Sequence, residues 1–247
     1  VYFQFIDHTE PFWNGLAAGI TAMIAEHRRG WLVQKLNGSH PALIDGDRAL
    51  VCGGTYSIPD SLFAEGSVLD NDLFSMPLSV GERVILFGGG HCALALAPLL
   101  HSVGFRVTVM DNRAEFVTRE RYPMAEERIC GDYNRIADHL TIEPEDYIVV
   151  MTSGHSFDYE VQEQVLRFPS SYVGVIGSRR KTASVNARLR NAGVPEDAIQ
   201  SVHTPIGLNI KAVTPEEIAV SITAEMILVR AELHEKLSEA SHSCPMH

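Results

Sequence analysis

The stretch Val84-Ile85-Leu86-Phe87-Gly88-Gly89-Gly90-His91-Cys92-Ala93 decides the fold. An unbroken apolar run reads as a strand buried on both faces, as parallel strands are. The glycines and Ala93 then spell G-x-G-x-x-A between that strand and a helix predicted over residues 92–103, the setting a dinucleotide fingerprint requires. Gly88 permits the tight turn, Gly90 lets the main chain approach a phosphate, and Ala93 lets helix and strand pack closely. The helix start adds unpaired N–H groups and a partial positive charge. Asp111 falls about 20 residues further on, at the end of a second strand, where a carboxylate can bind ribose hydroxyls. The alternative reading is a tight strand-to-helix turn with no ligand.

Working outward, strands are predicted at 83–87, 106–110, 128–130, 147–151 and 172–176, separated by helical patterns. That alternation implies a doubly wound parallel sheet with helices on both faces, a Rossmann-like α/β domain over residues 81–247. Its last helix is marked by Thr214 as N-cap, Pro215 as first helical residue and Glu217 as the partner reaching back. Ile218, Ile222, Met226 and Val229 form its apolar stripe.

Ligands bind such sheets at the carboxyl ends of the strands, at the switch point. Two further loops belong there. The loop after the fourth strand, Thr152-Ser153-Gly154-His155-Ser156-Phe157-Asp158, brings hydroxyls, a histidine and a carboxylate. His155 and Asp158 are candidates for acid and base, or else Asp158 caps a helix and His155 is a polar loop residue. The next loop, Gly177-Ser178-Arg179-Arg180-Lys181, puts three cations at a helix start, where cations are disfavoured unless an anion joins them. The bland reading is Ser178 as N-cap of a solvated basic turn. His91-Cys92 is a third candidate pair. A cysteine at a helix N-terminus can be an activated nucleophile, or a small residue packed under the loop.

Residues 1–80 read as a smaller α+β unit, parted from the rest by a composition break near Leu78-Ser79-Val80-Gly81. Pro59, Gly66, Pro77 and the polar Asp70-Asn71-Asp72 lie before that break. Phe12, Leu16, Ile20, Met23 and Ile24 mark a helix that Gly30 ends. Two strand runs follow at 31–36 and 43–52, with turns at Asn37-Gly38 and Asp45-Gly46. Val1-Tyr2-Phe3-Gln4 resembles the remnant of a protease-cleaved tag. The whole chain has 247 residues, 45% of them hydrophobic, and a formal net charge of −11. That excludes broad nucleic-acid binding, since such a surface repels a phosphate backbone. No apolar run approaches the roughly 20 residues of a membrane span. Cys52, Cys92, Cys130 and Cys244 form no C-x-x-C pair, and scattered thiols without a secretory signal point to the cytoplasm. The tail His242-Ser243-Cys244-Pro245-Met246-His247 has soft-metal ligand types but reads as an unstructured terminus.

Taken in order, Phe87-Gly88-Gly89-Gly90-His91, Asp111-Asn112-Arg113, Ser153-Gly154-His155 with Asp158, Gly174 to Lys181, Pro205-Ile206-Gly207-Leu208 and Thr214 to Ala219 resemble the C-terminal domain of the XdhC/CoxI family. These are accessory proteins of molybdenum hydroxylases such as xanthine dehydrogenase. The resemblance implies a Rossmann-like domain that binds molybdenum cofactor, as molybdopterin or its dinucleotide. It implies further that the chain aids sulfuration with a cysteine desulfurase and delivers the cargo to the apo-hydroxylase. It would be a cytoplasmic maturation factor, a homodimer, and not itself an enzyme. The implied cofactor-binding residues are Gly88, Gly89, Gly90, His91, Asp111, Arg113, Ser153, Gly154, His155, Gly177, Ser178, Arg179 and Lys181. The N-terminal unit departs from the family pattern, with Cys52-Gly53-Gly54 nearest to a Gly-Gly-Gly-Cys-like element. Cys52 and Cys92 both stay open as sulfur-handling thiols. Two other readings stand beside this one: an NAD(P)-dependent oxidoreductase, and a nucleotide-responsive scaffold that transfers no cargo.

Overall fold

A computed structural model describes residues 5–26, 28–64, 66–78, 81–153 and 157–242, with the side chains of Arg179 and of residues 237–242 outside the description. Two units separate, residues 1–80 and 81–247, each with its own core.

The first unit is a helix, α1 (Pro11–Ala25), and an antiparallel sheet of β1 (Gly30–Lys35), β2 (Ala42–Asp45), β3 (Leu50–Gly53), β4 (Val68–Asp70) and β5 (Leu73–Leu78), in the order β3-β2-β1-β5-β4. Strand alternation sends Trp31 and Val33 into one core with Ala42, Ile44, Leu62 and Leu73. On the other face Leu16 and Met23 of α1 pack on Leu43, with Cys52 at their edge. One sequence expectation is corrected. Gly30 does not end the helix: Glu26 does, and Gly30 opens β1 so close to β2 that a Cβ there would meet the Ile44 carbonyl oxygen at 2.4 Å. The run 43–52 is two strands on either side of the expected turn at Asp45-Gly46, within which Arg48 takes a positive φ of 62°. The structure also adds a hairpin, β4–β5, whose tip is Asp70-Asn71-Asp72 with Asn71 at φ 53°. Pro77 concealed β5. β4 pairs only with Leu73–Ser75, so Pro77 sits where β5 is an edge and its missing N–H costs no ladder bond.

The second unit runs β6 (Arg83–Phe87), α2 (His91–Ser102), β7 (Arg106–Asp111), β8 (Glu127–Cys130), β9 (Tyr147–Val150), α3 (Asp158–Val165), β10 (Tyr172–Val175), α4 (Arg179–Asn191), α5 (Glu196–Gln200) and α6 (Pro215–His242). Its described strands are all parallel, in the order β10-β9-β6-β7-β8. α2 and α6 cover one face through Ala93, Leu96, Leu100, Ile222 and Met226. Val161, Val165 and Leu189 of α3 and α4 cover the other. The buried strands therefore read as continuous apolar runs, with Val84 to Phe87 fully enclosed. α6 starts as its sequence dictates. The Thr214 hydroxyl accepts the Glu217 N–H at 3.2 Å, and the Glu217 carboxylate accepts those of Val213 and Thr214 at 2.7 and 3.1 Å. The order reverses between β6, which connects toward β7, and β9, which continues toward β10. That reversal makes the crevice above β6 and β9 the switch point.

Candidate functional site

The crevice floor is made by the glycine loop meeting the end of β9. Gly88 takes φ +119°, and a Cβ there would meet the Met151 carbonyl oxygen at 2.3 Å. Only glycine fits both demands. A Cβ on Gly89 would meet the Phe116 carbonyl oxygen at 2.4 Å, so the loop is also overlaid by the segment after β7. Gly90 differs, because nothing lies within 4 Å of where its Cβ would be. Gly90 is the N-cap of α2, no side chain caps it, and it has open room beside the helix's first turn. A phosphate needs such room next to unpaired amides. Ala93, fully buried, lets α2 lie close on the sheet.

Asp111 ends β7 as expected, but its carboxylate turns inward, with its side chain 1% exposed. It accepts the Gly89 N–H at 2.8 Å and the Arg113 N–H at 3.0 Å. It also accepts Nε and Nη2 of Arg113 at 2.9 and 3.0 Å. Burial pushes this carboxyl up, yet the Arg113 guanidinium and the two main-chain N–H groups outweigh it and hold the pKa below the ordinary value. The same pairing raises Arg113. Arg113 lies over the Phe116 ring, 3.7 Å from its centroid, and Arg121 is 5.0 Å from the same centroid. Arg121 Nη2 donates to the Gly89 carbonyl at 3.2 Å, while its buried Nε has no partner among the described residues. Tyr122, fully buried beneath the loop, has its phenol pushed up to about 12 by burial.

The other predicted residues that the structure describes reach the same edge of the sheet with different surroundings. Thr152 donates its hydroxyl to Asp158 at 2.6 Å and its N–H at 3.2 Å, so Asp158, 4% exposed, braces the β9 loop from the first position of α3. Ser153 is exposed, and Gly154 and His155 lie outside the described residues, as does Cys244 with the rest of the tail after His242. Gly177 and Ser178 lead into α4, whose first residue is Arg179. Ser178 is the N-cap without a side-chain bond to the helix, so its hydroxyl does not satisfy the α4 start. Arg180 and Lys181 are exposed. Thr182 ties this turn to the segment before Pro205, hydroxyl to hydroxyl with Thr204 at 2.9 Å.

His91 is exposed at the start of α2. Cys92 is half-buried against the core, and burial, then Glu216, pushes its thiol up. Both its contacts with the core and this upward push accord with the packing reading. Cys52 is likewise raised by burial. Among the described residues no group of three or more His, Cys, Asp or Glu could hold a metal ion. No helix among them is long and apolar enough to cross a membrane. A cavity of about 380 Å³ lies at the other end of β10, beside Phe168, Tyr172, His203 and Leu233, away from the glycine loop.

Sequence reasoning missed Phe116, Arg121 and Tyr122. They sit in a segment of short turns with no periodicity, and nothing in the sequence signals that it folds back over Gly89.

The family model described as the XdhC Rossmann domain matches residues 84–226. The chain belongs to this family. The chain is 32% identical over 149 residues to the Escherichia coli (strain K12) protein named uncharacterized protein YqeB, covering 60% of this chain and 27% of that one. It is 32% identical over 159 residues to a Bacillus subtilis (strain 168) protein named as a probable subunit of xanthine dehydrogenase, covering 64% of this chain and 46% of that one. Among solved structures it is similar to one described as a xanthine dehydrogenase from Bacillus halodurans, with a TM-score of 0.73 and 25% identity. That likeness covers 90% of this chain and 66% of the other. The chain thus spans less than half the length of the two curated relatives.

Proposed function

We propose that this XdhC domain is a maturation factor. It would bind molybdenum cofactor, support its sulfuration, and pass it to an apo-molybdenum hydroxylase such as xanthine dehydrogenase. Family membership and the names of the relatives support the accessory role. One structural observation carries the cargo reading: the uncapped start of α2 at Gly90, with open room where a Cβ would stand. The phosphate of molybdopterin, or the pyrophosphate of its dinucleotide, fits that place. Ser178, Arg179 and Lys181 at the start of α4 would add a hydroxyl and two cations on the same sheet edge. The β9 loop, with Ser153, Gly154 and His155, would border the metal end. Asp158 holds that loop in shape, and no catalytic residue is proposed.

A cysteine desulfurase would supply sulfur, and burial, which pushes up the thiols of Cys52 and Cys92, favours neither as the sulfur carrier. A second copy, or the client, would meet the outer face of α6, where Val220, Ile227 and Leu228 are exposed. The cytoplasm is the proposed compartment.

The test is what co-purifies from a host that makes molybdenum cofactor. Oxidised pterin with molybdenum near one per chain, and activation of an apo-hydroxylase by the loaded protein, are the expected results. Release of NAD(P) alone would replace this reading with an oxidoreductase. A bound nucleotide with no activation would leave a nucleotide-responsive scaffold.

A further inference from the structure

We infer that the β7 side of this site is built for a phosphate group and against a sugar diol, with Arg113 and Arg121 as its cationic walls and Asp111 as a positioning residue. The inference rests on the phosphate reading above and narrows it.

A diol-binding carboxylate at this place in the fold must offer free oxygens to the ligand's hydroxyls. The Asp111 carboxylate has none to offer. Its two oxygens accept four bonds, from Gly89 N–H, Arg113 N–H, Arg113 Nε and Arg113 Nη2. That fills the roughly four lone-pair sites of a carboxylate. Its buried face looks at the glycine loop, so it fixes Gly89 and aims Arg113 instead of meeting a ligand.

The space a diol would use is bordered by donors. Arg113 spends Nε and Nη2 on Asp111, leaving Nη1 on a side chain that is 31% exposed. Arg121 is anchored to the Gly89 carbonyl and carries a buried Nε without an acceptor among the described residues. A buried donor left so is unfavourable. Both guanidiniums lie against the one Phe116 ring. Asp111 balances one of the two charges. Glu115 also acts on Arg113, so the cation left without a carboxylate partner among the described residues is Arg121, in a chain whose formal charge is −11. Two guanidiniums on one ring repel each other, and a phosphate monoester or diphosphate offsets that repulsion while offering acceptor oxygens to the Nη1 that Arg113 leaves free. A nucleotide and a phosphorylated pterin share that chemistry.

The experiment is calorimetric titration of the full chain with inorganic pyrophosphate, adenosine 2′,5′-bisphosphate and AMP, the last carrying the free diol. Pyrophosphate is expected to bind, and the bisphosphate to bind at least about ten-fold tighter than AMP, as one added charge-assisted contact implies. Arg121→Ala and Arg113→Lys should each erase most of that preference. Asp111→Asn should weaken the bisphosphate as well. If that variant does not fold, Arg121→Ala decides alone, since it leaves the Asp111 bonds to Gly89 and Arg113 in place. AMP binding as tightly as the bisphosphate, or a preference unchanged in Arg121→Ala, overturns this inference while leaving the phosphate reading intact. No pyrophosphate binding at millimolar concentration overturns both.

Discussion

Three adjacent glycines carry three different constraints, and substitution separates them. Gly88 is held by its positive φ and by the Met151 carbonyl, so Gly88→Ala should destabilise the fold by about 1–3 kcal/mol or more, read from urea unfolding. Gly90 has an ordinary φ of −76° and open space around it, so Gly90→Ala should unfold with the parent while losing about ten-fold or more in pyrophosphate affinity. If Gly90→Ala binds as the parent does, α2 is not a phosphate site. Asp111 gives a pH signature. Its folded pKa lies below the ordinary value near 4, so its contribution to stability is fully present above about pH 5 and fades as pH falls through that range. The stability difference between parent and Asp111→Asn should therefore shrink from about pH 6 to about pH 3. A difference constant with pH would mean that the carboxylate is not held as described. The glycine spelling and the acid at the strand end were both legible in the sequence. Which way the carboxylate turns was not, because that depends on Arg113 folding back two residues later.

Elements show the same division. α6 was legible from both ends of its logic, the Thr214–Glu217 box and the stripe through Ile222 and Met226, because capping and periodicity are local. Thr214→Ala should cost about 1 kcal/mol by removing a side-chain acceptor at the start of that helix, measurable as a lower urea midpoint with an unchanged slope. An unchanged midpoint would show that packing on α2 alone holds the helix start. The β4–β5 hairpin was not legible, since Pro77 and an acidic turn read as a break. Likewise residues 112–122 carry no period of a strand or a helix, and only tertiary contact with Gly89 defines them. Such stretches are specified by what they touch, which a single sequence does not display.

At the scale of the molecule, every residue placed in the candidate site belongs to the unit that begins at Gly81, and that unit has its own two-faced core. A fragment of residues 81–247 should fold cooperatively and bind pyrophosphate within about three-fold of the full chain. A larger loss would assign part of the site to residues 1–80. Binding should also weaken with added salt, because exposed Arg180 and Lys181 act across solvent, whereas the buried Asp111–Arg113 pair is largely insulated. The meeting of Gly88 with the Met151 carbonyl has a consequence for how such a protein diversifies. The crevice floor there is peptide, not side chain, so its shape and polarity are common property of any descendant that keeps the one glycine. Side chains at the exposed rim, such as Arg180, Lys181 and Ser153, can change without touching that floor, and variation should accumulate there.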